Sequence, residues 1–140
     1  MPQSSRARAD LANARLIAGF AGPVALAIGL AILVNRSLLP RLADEISRDI
    51  ALIFVSGVLL LVAGIAIVRV HNVWQAEWPV LVTVIGWLCI AGGLARMFAF
   101  DQLARIARDV VQLPNLPLAA GLLLAALGAF LSYKAFSAAP

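Results

Sequence analysis

Cysteine, histidine and lysine each occur once in this chain of 140 residues, as Cys89, His71 and Lys134. A single cysteine excludes an intrachain disulfide and a thiolate metal cluster, and Cys89 falls within an apolar run, where a small buried side chain is expected. One histidine leaves any metal shell incomplete within one chain. Charged residues are also scarce, at 13% against 63% hydrophobic, which excludes an ordinary soluble domain. The formal charge of +4 does not point to nucleic acid, because the basic residues are scattered and no basic cluster interleaves with aromatics. The patterns G-x-S-x-G, H-E-x-x-H and the Walker A loop are missing, as are paired carboxylates inside an apolar run. No catalytic residue, cofactor site or metal site is expected, and the chain reads as a non-enzyme.

What the chain has instead is four long apolar runs, 16–34, 50–68, 80–95 (continuing to 98) and 118–133. Each is near the length that crosses a bilayer core, and none carries a charge in its central part. Arg6, Arg8 and Arg15 precede the first run much as in a signal peptide. That run is too long for a signal-peptide core and lacks a small-residue cleavage pattern after it, so it reads as a retained span. The fold expected is all-α, a single integral membrane domain over 1–140 with four transmembrane helices.

Each run contains two glycines seven residues apart: Gly22 and Gly29, Gly57 and Gly64, Gly86 and Gly93, Gly121 and Gly128. That spacing returns to one helix face, where small residues let helices approach closely in lipid, so these eight are the expected helix-packing positions. Only surplus glycine surface, such as Gly19 or Gly92, need face a neighbouring protomer. Shifting the sequence by 64 residues superposes 15–70 on 79–134 with all four glycine pairs in register and 13 of 56 positions identical. The chain thus reads as two parallel helical-hairpin repeats joined by 71–78. Within each repeat the connector alternates apolar and charged residues at helical spacing: Leu39, Leu42, Ala43 and Ile46 against Arg41, Asp44, Glu45 and Arg48, then Leu103, Ile106, Ala107 and Val110 against Arg105, Arg108 and Asp109. Both connectors are expected to be short interfacial amphipathic helices, with Pro40 in a first turn, Asp101 as a cap, and Pro114 and Pro117 ending the second. Arg41–Glu45, Asp44–Arg48 and Arg105–Asp109 are expected i,i+4 ion pairs.

The segment without a repeat counterpart holds His71, Asn72, Trp74, Glu77 and Trp78, the candidate interfacial site. Trp74 and Trp78 suit the aromatic belt; His71 suits a capping role, with a pH switch, a metal or haem ligand, or a headgroup contact as alternatives. Among polar residues inside the runs, Thr83, Ser56 and Ser132 are expected to bond back to a carbonyl of their own helix. Trp87 is expected to fill space between helices, and Pro23 to bend the first helix statically. With four spans both termini share one side; Arg6, Arg8 and Arg15 favour the cytoplasm for it, while near-equal basic counts on the two sides also allow dual topology.

In the stretch His71, Asn72, Val73, Trp74, then Trp78, Pro79, then Thr83 to Trp87 (T-V-I-G-W), the chain resembles uncharacterised small four-helix inner-membrane proteins of proteobacteria. The resemblance implies a multi-pass bacterial inner-membrane protein and no activity. Small multidrug transporters match in length and span number, but they need a glutamate embedded in the first helix and residues 16–34 hold no acid. The function expected is that of a non-catalytic membrane subunit, self-assembling or accessory to a larger membrane complex, with membrane lipids as its other partners. The alternative is a small oligomeric channel for an ion or solute, and a third reading makes the His71, Trp74 and Trp78 surface a site for quinone, haem or lipid.

Overall fold

The computed structural model describes residues 2–74, 77–113 and 115–137. Six helices follow in order: α1 Pro2–Val34, α2 Leu39–Arg48, α3 Ile50–Val70, α4 Val80–Phe98, α5 Phe100–Val111 and α6 Leu116–Phe136. Four of them, α1, α3, α4 and α6, are long and apolar enough to cross a membrane. The connectors α2 and α5 lie at one end, and the start of α1, the end of α6 and the facing ends of α3 and α4 at the other.

α1 runs well beyond its apolar run. Its first half is polar but rich in alanine, arginine and leucine, which favour helix, so the backbone winds continuously from Pro2 through Pro23. At 33 residues it is about 50 Å long against a hydrocarbon core of about 30 Å. α2 meets α3 through a single extended residue, Asp49, whose side chain accepts from Leu52 N at 3.0 Å and caps α3. α4 meets α5 through Ala99. Asp101 therefore does not cap α5; it sits in its first turn. Pro40 and Pro117 occupy the first turns of α2 and α6, where a missing N–H costs nothing, so Pro117 opens the last helix and does not end the connector. Pro114 lies outside the described residues. Arg41–Glu45 and Arg48–Asp44 pair at 3.1 and 2.8 Å, whereas among the described residues Arg105 and Asp109 do not pair.

The long helices associate in two antiparallel pairs, α1 along α6 and α3 along α4. The extensive contacts are thus not between α1 and α3, or between α4 and α6, as separate hairpins would require. Glycine explains the closeness. None has positive φ among the described residues, so each serves by lacking a side chain. A Cβ built at Gly29 would stand 2.5 Å from Ala125 N, and one at Gly22 would stand 2.6 Å from Ser132 N. Gly128 abuts Leu26 N, and its Cβ would be 2.7 Å from Gly22 O; Gly121 faces Leu33 and Ile32. In the other pair, a Cβ at Gly64 would stand 2.7 Å from both Gly86 O and Ile90 N and one at Gly93 2.7 Å from Leu61 N, while Gly86 faces Ile67 and Gly57 faces Arg96. Gly92 is also filled from within the chain, by Leu60 and Arg96, and Gly19 sits at an ordinary 3.8 Å from Ala135 Cβ, so neither faces open space.

The pairs touch each other mainly at their ends. At the terminal end Ala14 and Ala18 of α1, Val82 of α4 and Leu131 of α6 form the buried core, flanked by Ile17, Ile67, Trp78 and Ile85. At the other end α2 packs against α5. Trp87 lies on the outer face of α4, 45% exposed, and does not fill the space between helices.

The interface geometry separates two alanine substitutions. Gly29→Ala must push α1 from α6 and should lower stability by about 1–3 kcal/mol, whereas Gly19→Ala adds a methyl at contact distance and should leave it unchanged within error. Unfolding midpoints in detergent compare the two directly.

Candidate functional site at the turn between α3 and α4

α3 ends because His71 leaves the helical conformation, at φ −144° and ψ 108°, while its N–H still bonds Ile67 O. The ring then folds inward and is 1% exposed. Its Nε2 lies 3.0 Å from Pro79 O, and since a carbonyl oxygen only accepts, Nε2 carries the proton of this bond. That leaves Nδ1 buried without a hydrogen-bond partner. Pro79 O also receives Val82 N, so the first turn of α4 and the end of α3 share one acceptor.

Two residues down the chain, the backbone of Val73 is held at both its groups by one side chain. Thr83 Oγ1 accepts from Val73 N and donates to Val73 O, each at 3.0 Å, with the threonine fully buried. Thr83 thus fastens the turn to α4 and does not bond back along its own helix; Ser56 and Ser132 do bond back, to Ile53 O and Gly128 O. Asn13 Nδ2 donates to Val70 O at 3.2 Å, which ties α1 to the carbonyl end of α3.

The five candidate residues do not converge. Asn72 and Trp74 bond each other, Trp74 Nε1 donating to Asn72 Oδ1 at 2.8 Å, and Trp74 is 63% exposed. Glu77 is exposed, and Trp78 is half-buried against the core of Ala14, Ala18, Val82 and Leu131. Only His71 is enclosed, and its neighbours hold backbone. Among the described residues, no three His, Cys, Asp or Glu side chains group as a metal shell would.

No family model, curated protein or solved structure matches the chain. The site is therefore described by its own geometry, that of a polar lock joining α1, α3 and α4 at the point where the two helix pairs meet. Asn13 and Thr83 complete this lock, and neither stands out in the sequence as a turn residue. Thr83→Val keeps shape but removes both bonds to Val73, leaving a buried N–H and C=O unpaired; stability should fall by about 1–3 kcal/mol and the Val73 amide should exchange faster. Thr83→Ser should retain most of the protection, and hydrogen exchange at Val73 reads the difference.

Proposed function

We propose that this is a non-catalytic integral protein of the bacterial inner membrane that works as a subunit of an assembly, either of its own copies or of a larger membrane complex. The observation that carries this reading is the separation of the two helix pairs. All eight paired glycines are engaged within the chain, yet the α1–α6 pair meets the α3–α4 pair chiefly through the buried core at one end and the α2–α5 contact at the other. The pairs leave extensive apolar surface outside themselves, with Phe20, Val24 and Ile28 on α1 and Leu59 and Val62 on α3 exposed. Helix faces of this kind in lipid are covered by acyl chains or by further helices.

The chain also reads as a duplicated unit, and the register of its interfaces supports that reading. Adding 64 to Gly22 and subtracting it from Gly128 turns the first contact into Gly86 with Gly64, which is a contact of the second pair. The same operation turns Gly29 with Ala125 into Gly93 with Leu61, and Gly128 with Leu26 into Gly64 with Ile90. The two units are then interlaced: each supplies one helix to each pair, and α2 and α5 are the amphipathic crossovers at the membrane surface. The termini and the His71 lock face the cytoplasm in this arrangement.

Native mass measurement on protein extracted from membranes under mild conditions tests the assembly reading. A discrete species heavier than the 14.7 kDa chain is expected. A monomer under every mild condition would overturn it, and proteoliposomes leaky to ions or small solutes would favour a channel in its place.

A further inference from the structure

Arg96 is the one cation in the last turn of α4, and its side chain turns the unusual way. An arginine at a helix end ordinarily extends its head toward the headgroups. Here Nη1 donates to Gly92 O at 3.2 Å, one turn deeper, over the space that Gly92 leaves by lacking a side chain. Arg96 is half-buried, and among the described residues no carboxylate forms an ion pair with it. Arg96 lines two adjoining clefts. One, of about 230 Å³, is walled by Ile46, Ser47, Ile53, Phe100 and Leu103 under the α2–α5 crossing. The other, of about 460 Å³, runs along Ile50, Phe54 and Met97 at the α3–α4 pair.

The corresponding cleft in the other helix pair lacks this arginine. There a cleft of about 170 Å³ is lined by Ile32, Leu39, Val110 and Pro117, the positions that a shift of 64 relates to Arg96, Leu103, Ile46 and Ile53. That cleft is wholly apolar. The two clefts under the crossing therefore differ by Ser47 and by one cation turned back along its helix, which among the described residues has no carboxylate partner. The other pair's cation, Arg36, lines a separate cleft of about 600 Å³ with Ser37, Gln112 and Asn115. A buried charge is costly unless paired, and an arginine fork matches a phosphate.

We propose that Arg96 and the clefts that meet at it form a binding site for one anionic phospholipid, the phosphate paired with the guanidinium and an acyl chain lying along Ile50, Phe54 and Met97. Ser47, half-buried on the wall, adds one hydroxyl to the polar part of the site, its proton donated to Asp44 O. The site does not depend on how the chain assembles, because every residue in it comes from one copy.

The test uses the full chain in nanodiscs of equal phosphatidylglycerol and phosphatidylethanolamine, with bound lipids counted by native mass spectrometry. Wild-type protein should retain phosphatidylglycerol preferentially, and Arg96→Gln should reduce that preference about five-fold or more. Arg41→Gln, which removes an exposed cation already paired with Glu45, should leave it unchanged. Ile32→Arg should add a second retained phosphatidylglycerol at the apolar cleft. A wild type with no preference overturns the proposal even if the variants fail to fold. So does undiminished retention in folded Arg96→Gln, or an equal loss in Arg41→Gln, which would mark general surface attraction. Inorganic phosphate that stabilises lipid-free protein in detergent as much as phosphatidylglycerol does would assign the cation to a free anion and overturn the lipid.

Discussion

Backbone-to-backbone approach at glycine is the constraint on which the rest of this structure depends. Apolar side chains gain nothing from leaving lipid for one another, so helices in a membrane associate where their surfaces allow close van der Waals contact. Gly22, Gly29, Gly121 and Gly128 supply that surface between α1 and α6, and Gly57, Gly64, Gly86 and Gly93 supply it between α3 and α4. Once those pairings are set, the path of the chain is fixed. α2 must carry it from α1 to a helix of the other pair, α5 must carry it back, and the two crossovers meet.

The ends of the bundle then do what its middle does not. At the terminal end, the alanines of α1 allow Val82 and Leu131 to close a small core, and polar bonds fix it: Asn13 to Val70, Thr83 to Val73 and His71 to Pro79. These bonds satisfy backbone groups that the end of α3 and the irregular turn would otherwise leave open, a need that is strict near a membrane. At the connector end the polar content is of another kind: the Asp49 cap, the exposed ion pairs of α2, and Arg96, which among the described residues has no carboxylate partner. One end holds its backbone with internal polar bonds, His71 Nδ1 alone of the lock's atoms being left over; the other carries the cation to which a phospholipid is assigned.

Much of the fold was legible because it rests on local composition. The four long apolar helices follow from apolar length, and helical alternation in 38–48 and 102–113 points to helices that lie at 39–48 and 100–111. The N-cap Asp49 carried a readable signal, an aspartate directly before an apolar run, that competes with its place in the charged connector. Thr83 could not be read, because its partner Val73 is met only after the chain has turned, and a local bond to its own helix was the cheaper expectation. Trp87 failed similarly: a side chain's face depends on which helix becomes the neighbour, and α4 pairs with α3 along its glycine face, leaving the indole outside. The pairing across halves was hidden for the same reason, since glycine spacing marks a sticky face without naming what it meets.

The pairing of α1 with α6 inside one chain is tested most directly by a disulfide. A Cβ at Gly19 would lie 3.8 Å from Ala135 Cβ, which is the separation a disulfide prefers. In a Cys89→Ser background, Gly19→Cys with Ala135→Cys should oxidise within the chain, giving a species of monomer mass whose two halves stay joined after cleavage between α3 and α4 until reductant is added. Failure to cross-link under oxidant, or a bond formed only between two chains, would contradict the pairing.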